Sequence, residues 1–175
     1  MDPVAKALVD HFRMTPLPVE GTWFVSTYRS DADTAAGEPV GTAMIGLYAD
    51  EPPSRSLFHR LPHDEVWHFY GGDPIRLLLL HPDGSSEQVT LGSDVLSGHA
   101  VQHVVPAGSW QAGELVLGGR WALFGCTMAP GFTGAGFEGG TVSALLASHP
   151  RAEADIRRLA IPDDHVTSMP EAFAT

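Results

Sequence analysis

Residues 55–74, RSLFHRLPHDEVWHFYGGDP, gather the side chains of this chain best suited to chemistry. His59, His63 and His68 lie there with Asp64 and Glu65 between them, among Leu57, Phe58, Val66, Trp67, Phe69 and Tyr70. Imidazoles beside carboxylates can move protons or ligate a divalent metal. A carboxylate on a mostly apolar strand needs a polar partner or a raised pKa, so Glu65 demands a polar neighbour. Strand alternation sorts the set: with Glu65 inward, Trp67 and Phe69 follow it, and Val66, His68 and Tyr70 take the other face. His63 falls in the LPHD turn, where a polar surface residue is expected. Further on, Gln102 and Val104 share one face and His103 the opposite one; the sequence alone leaves open which face is inside. Other known chemical signatures are missing: no GKS or GKT follows the Gly-rich stretch APGFTGAGFEGG, and there is no G-x-S-x-G, C-x-x-C or H-E-x-x-H.

The elements that would position these residues read as follows. Residues 3–14, PVAKALVDHFRM, have Val4, Ala5, Leu8 and Phe12 at helical spacing behind Asp2 and Pro3, which predicts an amphipathic helix. TPLPVEG breaks it. From there to about residue 128 the pattern is β: TWFVSTYR, TAMIGLYA, RSLFHRL, EVWHFYGG, PIRLLLLH, SEQVTLG, AVQHVVPAG and RWALFGCTM, separated by turn signals such as DEPPS, HPDGS and LGGR. Short strands at regular spacing predict an all-β sandwich or barrel. APGFTGAGFEGG reads as a structural loop. TVSALLASH and RAEADIRRLA, split by Pro150, predict C-terminal helices, and the tail MPEAFAT is expected to fray.

Composition narrows the functions. The 175 residues suit one domain with a real core, with 43% hydrophobic and 18% charged residues. Asp and Glu number 21 against 10 Lys and Arg, a formal net charge of -11. Without a basic face, neither nucleic acid nor an anionic membrane surface is an expected partner. Lys6 is the one lysine and lies near the terminus, so a Schiff-base mechanism has almost no candidate. The single cysteine, Cys126, excludes an internal disulfide framework and reads as a small buried hydrophobe. No apolar run reaches membrane-spanning length, and MDPVAKALVD lacks a signal-peptide pattern, so a cytoplasmic protein is expected.

Four collinear motifs, PLPVEGTWFVSTYRS, LFHRLPHDEVWHFYGGDP, VQHVVPAGSWQ and GCTMAPGF, together with LLASHPRAEADIRRL, resemble the cupin superfamily. More narrowly, they look like its small single-domain cupin-5-type branch, whose function is mostly unassigned. The resemblance implies a single-domain jelly-roll β-barrel with an N-terminal helix and C-terminal helices. The barrel would span about 20–130 and the helical C-terminal region about 140–162 of one domain, 1–175. It also implies a pocket inside the barrel and a homodimer. Metal-binding cupins carry two histidines and a glutamate in the first motif and a third histidine in the second. By that pattern His59 and Glu65 are the metal-ligand candidates, while Leu61 stands at the second histidine position and Trp110 or Gln111 at the third. A divalent metal (Fe, Mn, Ni or Zn) is therefore expected to be weakly bound or absent. Trp67, Phe69, Gln102, Trp110, Gln111 and Tyr28 are candidate ligand contacts. Three functions remain open: an isomerase- or epimerase-like enzyme moving a proton on a small polar molecule, with His59 as base and Glu65 tuning it; a metal-dependent oxygenase or decarboxylase; and a non-catalytic module that binds a small molecule.

Overall fold

A computed structural model describes residues 1–170 and 173. The first helix, α1 (Pro3–Phe12), starts where Asp2 accepts a hydrogen bond from the Val4 amide at 2.7 Å and ends at Arg13, whose φ of 54° breaks the helical path. The strands are β1 (Thr15–Pro16), β2 (Trp23–Arg29), β3 (Thr42–Ala49), β4 (Ser56–Arg60), β5 (Glu65–Gly72), β6 (Ile75–Leu80), β7 (Ser86–Leu91), β8 (Gln102–Val105), β9 (Trp110–Leu115), β10 (Trp121–Met128) and β11 (Glu138–Gly139). Helices α2 (Val142–Ser148) and α3 (Glu153–Leu159) follow. The strands form two antiparallel sheets, ordered β1-β2-β3-β10-β5-β8 and β11-β4-β9-β6-β7. The fold is all-β, a jelly roll with helices at both ends of the chain.

The inner faces of both sheets meet in one core. Tyr48, Trp67, Ile75, Leu77, Leu79, Leu91, Val105, Ala122 and Phe124 are all buried there. Phe124 stacks on Trp67 with ring centres 4.8 Å apart. Gly46 makes room for that ring, because a Cβ there would run into it. The outer faces are covered in part by helices. Leu8, Val9 and Phe12 of α1 pack on Leu47, Ile45 and Leu123 of the first sheet. Leu145, Ile156 and Leu159 of α2 and α3 pack on Phe58, Leu78, Leu80 and Ala112 of the second. Arg76 of β6 and Arg158 of α3 tie that helix to β6 and β9 through Glu114 and Asp155.

Three expectations change. The segment WQAGEL, which the alternation pattern does not mark as a strand, is β9, a central strand between β4 and β6. Its weak local preference is overridden by pairing on both edges. Within it Gly113 is required, because a side chain there would collide with the Tyr48 hydroxyl. The Gly-rich stretch is more than a turn: Phe132 and Phe137 wall the cavity and β11 extends the second sheet. In the tail, Met169 is buried and the Phe173 ring sits 6.1 Å from Phe24, so these two residues pack instead of fraying. The rest of the expected fraying at 171, 172, 174 and 175 lies outside the described residues. Among the described residues, no helix is long and apolar enough to cross a membrane.

Candidate functional site

A cavity of about 260 Å³ opens between the sheets at the end where β2, β3, β4, β5 and β10 converge. Its buried lining includes Glu20, His59, Leu61, Glu65, Trp67, Cys126, Met128 and Phe137, whereas Ser26 and Arg29 at its rim are exposed. His59 and Glu65 therefore face one space, and Trp67 joins them, as alternation from Glu65 requires.

His59 is held on both faces of its chemistry. Its Nδ1 lies 2.8 Å from the Leu57 carbonyl, which can only accept, so Nδ1 carries the hydrogen and Nε2 is left as the acceptor. Nε2 sits 3.8 Å from Glu20 Oε2, and the ring stacks 5.2 Å from Phe137. A proton arriving on Nε2 would create an imidazolium already facing a carboxylate.

Glu20 is the residue that pattern reading missed. It lies in the short turn before β2, where Gly21 and Val19 both have positive φ, 93° and 66°. A β-branched residue is strained in that conformation, and such strain persists only where surrounding bonds enforce it. Here the Leu17 amide donates to the Thr22 carbonyl at 2.7 Å, and the Leu57 amide donates to the Glu20 carbonyl at 3.2 Å. The carboxylate is thereby aimed inward. Its Oε1 accepts from Thr22 Oγ1 at 2.7 Å and from Ser56 Oγ at 2.5 Å, and Ser56 Oγ accepts from the Tyr48 hydroxyl at 2.5 Å. Three hydroxyl hydrogens thus serve three acceptor positions, and all three hydroxyl-bearing residues are fully buried. Burial, reinforced by the Glu20 charge, pushes the Tyr48 phenol well above its ordinary pKa, so it remains a donor. The available sequence signal was a lone carboxylate inside the apolar, Pro-rich turn PLPVEG.

Glu65 closes the other side. Its Oε2 accepts from Trp67 Nε1 at 3.1 Å and from Gln111 Nε2 at 2.8 Å, and Trp67 Nε1 also reaches Gln111 Oε1 at 2.8 Å. Burial raises its pKa above the ordinary carboxyl value and the Glu20 charge adds to that; His59, Gln111 and Trp67 oppose the shift. Cys126 beside it is raised well above the usual thiol value by burial, then by Glu65 and Glu20, so it is a thiol and not a thiolate nucleophile.

Of the expected ligand contacts, Trp67 lines the cavity. Gln111 lies behind it, bonded to Glu65, and Phe69 faces inward but packs in the core. Trp110 is on the outer face of its sheet, against the α2 and α3 core and beneath the Arg60 guanidinium at 4.6 Å. Gln102 is exposed on the outer face of the first sheet, bonded to His68 at 3.1 Å, because His103 and Val105 take the inward positions opposite Trp67 and Glu65. Tyr28 is 55% exposed. The register of β2 against β3 shifts between Ser26 and Tyr28, leaving Thr27 as an extra residue. Such a bulge re-aims the side chains that follow it. Alternation from Phe24 and Ser26 would turn Tyr28 inward; with the bulge, Arg29 takes that place.

The donor set does not make a metal site of the kind some cupins carry. Leu61 lines the cavity beside His59 but has no ligating atom. Both polar ends of the Gln111 amide are engaged by Trp67 and Glu65. Among the described residues no three His, Cys, Asp or Glu side chains converge, short of the three or four donors that transition metals require.

Comparison with known proteins agrees with this architecture. The X-ray structure of a protein from Shewanella oneidensis is 29% identical and superposes with a TM-score of 0.84, covering 91% of this chain and 98% of that one. A hypothetical protein from Leishmania major is 27% identical with a TM-score of 0.81, covering 89% and 98%. A cupin 2 conserved barrel domain protein from Rhodopseudomonas palustris, 12% identical with a TM-score of 0.53 over 83% and 82%, shares the fold. No curated protein matches the chain. A family model described as cupin superfamily (DUF985) matches residues 6–139, and the chain belongs to that family, Cupin_5.

Proposed function

We propose that this cupin binds a small polar molecule in the barrel and moves a proton on it, in the manner of an isomerase or epimerase. His59 Nε2 is the base, Glu20 stabilises the imidazolium that forms, and Glu65 is the proton donor for an oxygen of the ligand. One observation carries this reading: an imidazole with its tautomer fixed by Leu57, backed by an oriented carboxylate, faces the cavity. Two carboxyl groups in different settings support a division of labour between them. Glu20 is served by two hydroxyl donors, while Glu65 is pushed toward its protonated form chiefly by burial. Cavity size limits the ligand. At about 30 Å³ per water, 260 Å³ has the volume of roughly nine waters, which suits a ligand of about ten covalently bonded non-hydrogen atoms. A nucleotide-linked sugar would have to leave most of itself outside. We also propose that the chain forms a homodimer, because the outer face of the first sheet beyond α1 exposes Tyr70 and Val104.

The test is solvent exchange. Small hydroxy and oxo compounds incubated with the protein in deuterium oxide should gain deuterium at carbon, read by mass spectrometry. His59→Asn should abolish that gain, and Glu20→Gln should reduce it. Ligand binding without any exchange would make the protein a binding module; exchange undiminished in His59→Asn would place the base elsewhere.

A further inference from the structure

Resting on the proposed ligand cavity, we infer that its ligand is a small monocarboxylate whose carboxylate is gripped by Arg29 at the mouth while its other end meets His59. Arg29 is the one Lys or Arg among the described residues that lines the cavity. Lys6, Arg60, Arg76, Arg120, Arg157 and Arg158 are held in ion pairs. Among the described residues, Arg29 makes no side-chain hydrogen bond or ion pair. Arg13, Arg55 and Arg151 share that lack but stand away from the cavity.

The position is built, not incidental. Thr27 is the extra residue of the β2 bulge, and its Oγ1 donates to the Ala43 carbonyl at 3.2 Å, tying the bulge to β3. Arg29 then pairs in register with Thr42, which also lines the cavity, and Tyr28 is turned outward. The guanidinium fork matches a carboxylate with two parallel hydrogen bonds. The two ends of the cavity also differ in sign. The Glu20 carboxylate at the buried end repels an anion, so the ligand is oriented with its carboxylate outward. Between them the walls are Phe24, Phe132, Phe137 and Met44, suited to an apolar or aromatic body. One cation, in a chain of net charge -11, balances a monoanion and leaves a phosphate dianion half-compensated.

A panel of size-matched acids and amides, among them 3-hydroxybenzoate and 3-hydroxybenzamide, with phenyl phosphate as a dianion, tests this. Binding is read from the indole N–H resonance of Trp67 in the full chain, identified with Trp67→Phe. Acids should bind at least tenfold more tightly than their amides, and the preference should shrink with added salt. Arg29→Gln should cost acid binding roughly tenfold and leave amide binding unchanged, while Arg29→Lys keeps part of the preference. Equal affinities within the pairs, a preference that survives Arg29→Gln, or tighter binding of phenyl phosphate would overturn the assignment while cavity binding stands. A Trp67 signal that no member of the panel moves would overturn cavity binding itself, and the assignment with it.

Discussion

Ser56→Ala tests the buried relay that aims Glu20. Ser56 Oγ accepts from Tyr48 and donates to Glu20 Oε1, and it is wholly buried. Without it the Tyr48 phenol, also wholly buried, has lost its acceptor, at about 1–3 kcal/mol. Glu20 keeps Thr22 but loses one donor, which adds about 1 kcal/mol. The sum is roughly 2–4 kcal/mol, a fall in Tm of roughly 4–16 °C at about 2–4 °C per kcal/mol for a chain of this size. In a Tyr48→Phe background no phenol remains to be stranded. There Ser56→Ala should cost less by about 1–3 kcal/mol. Urea unfolding of the four proteins of the cycle measures that coupling directly. If Ser56→Ala costs the same in both backgrounds to within about 0.5 kcal/mol, the hydroxyl chain does not carry the energy argued for it.

Other outcomes follow from the same geometry. Burial raises the Glu65 pKa, so between its ordinary value and the raised one the folded chain holds a proton that the unfolded chain has released. Stability contributed at this site therefore falls as pH rises through that window. Glu65→Gln, which keeps an acceptor for Trp67 and Gln111, should remove the slope and match or exceed the parent Tm at neutral pH, while impairing ligand turnover; a parental pH profile in the variant would refute this. Leu61→His, which sets an imidazole beside His59 in the same cavity, should raise affinity for nickel or zinc at least tenfold by calorimetry, and no gain would mean the new ring cannot share a centre with His59. Light scattering at micromolar concentration should give a dimer mass; a monomer mass would show the exposed Tyr70 and Val104 face to be unpartnered.

The sheet fold was legible because its strands announce themselves by alternation and its turns by Gly, Pro and Asp. His59, Glu65 and Trp67 were readable from the motif and from period-2 facing, and the structure sets all three on one cavity. Three things were not readable. Glu20 sits in a turn, where no periodicity says which way a side chain points; it took the bonds from Ser56 and Thr22 to show its direction. The β9 strand has a glycine at its centre because of Tyr48, a residue 65 positions away in sequence. Gln102 was misplaced because a short strand looks alike from either side until its neighbour is known.

Thr27 has a consequence for how this family's sequences are compared. A strand with one residue too many is a frame shift written in side chains: everything after it changes sides without any change in identity. Deleting position 27 would leave Tyr28 and Arg29 in the chain but exchange their roles, putting a neutral phenol over the barrel and sending the guanidinium to water. Two relatives could thus share every nearby letter and still favour ligands of different charge.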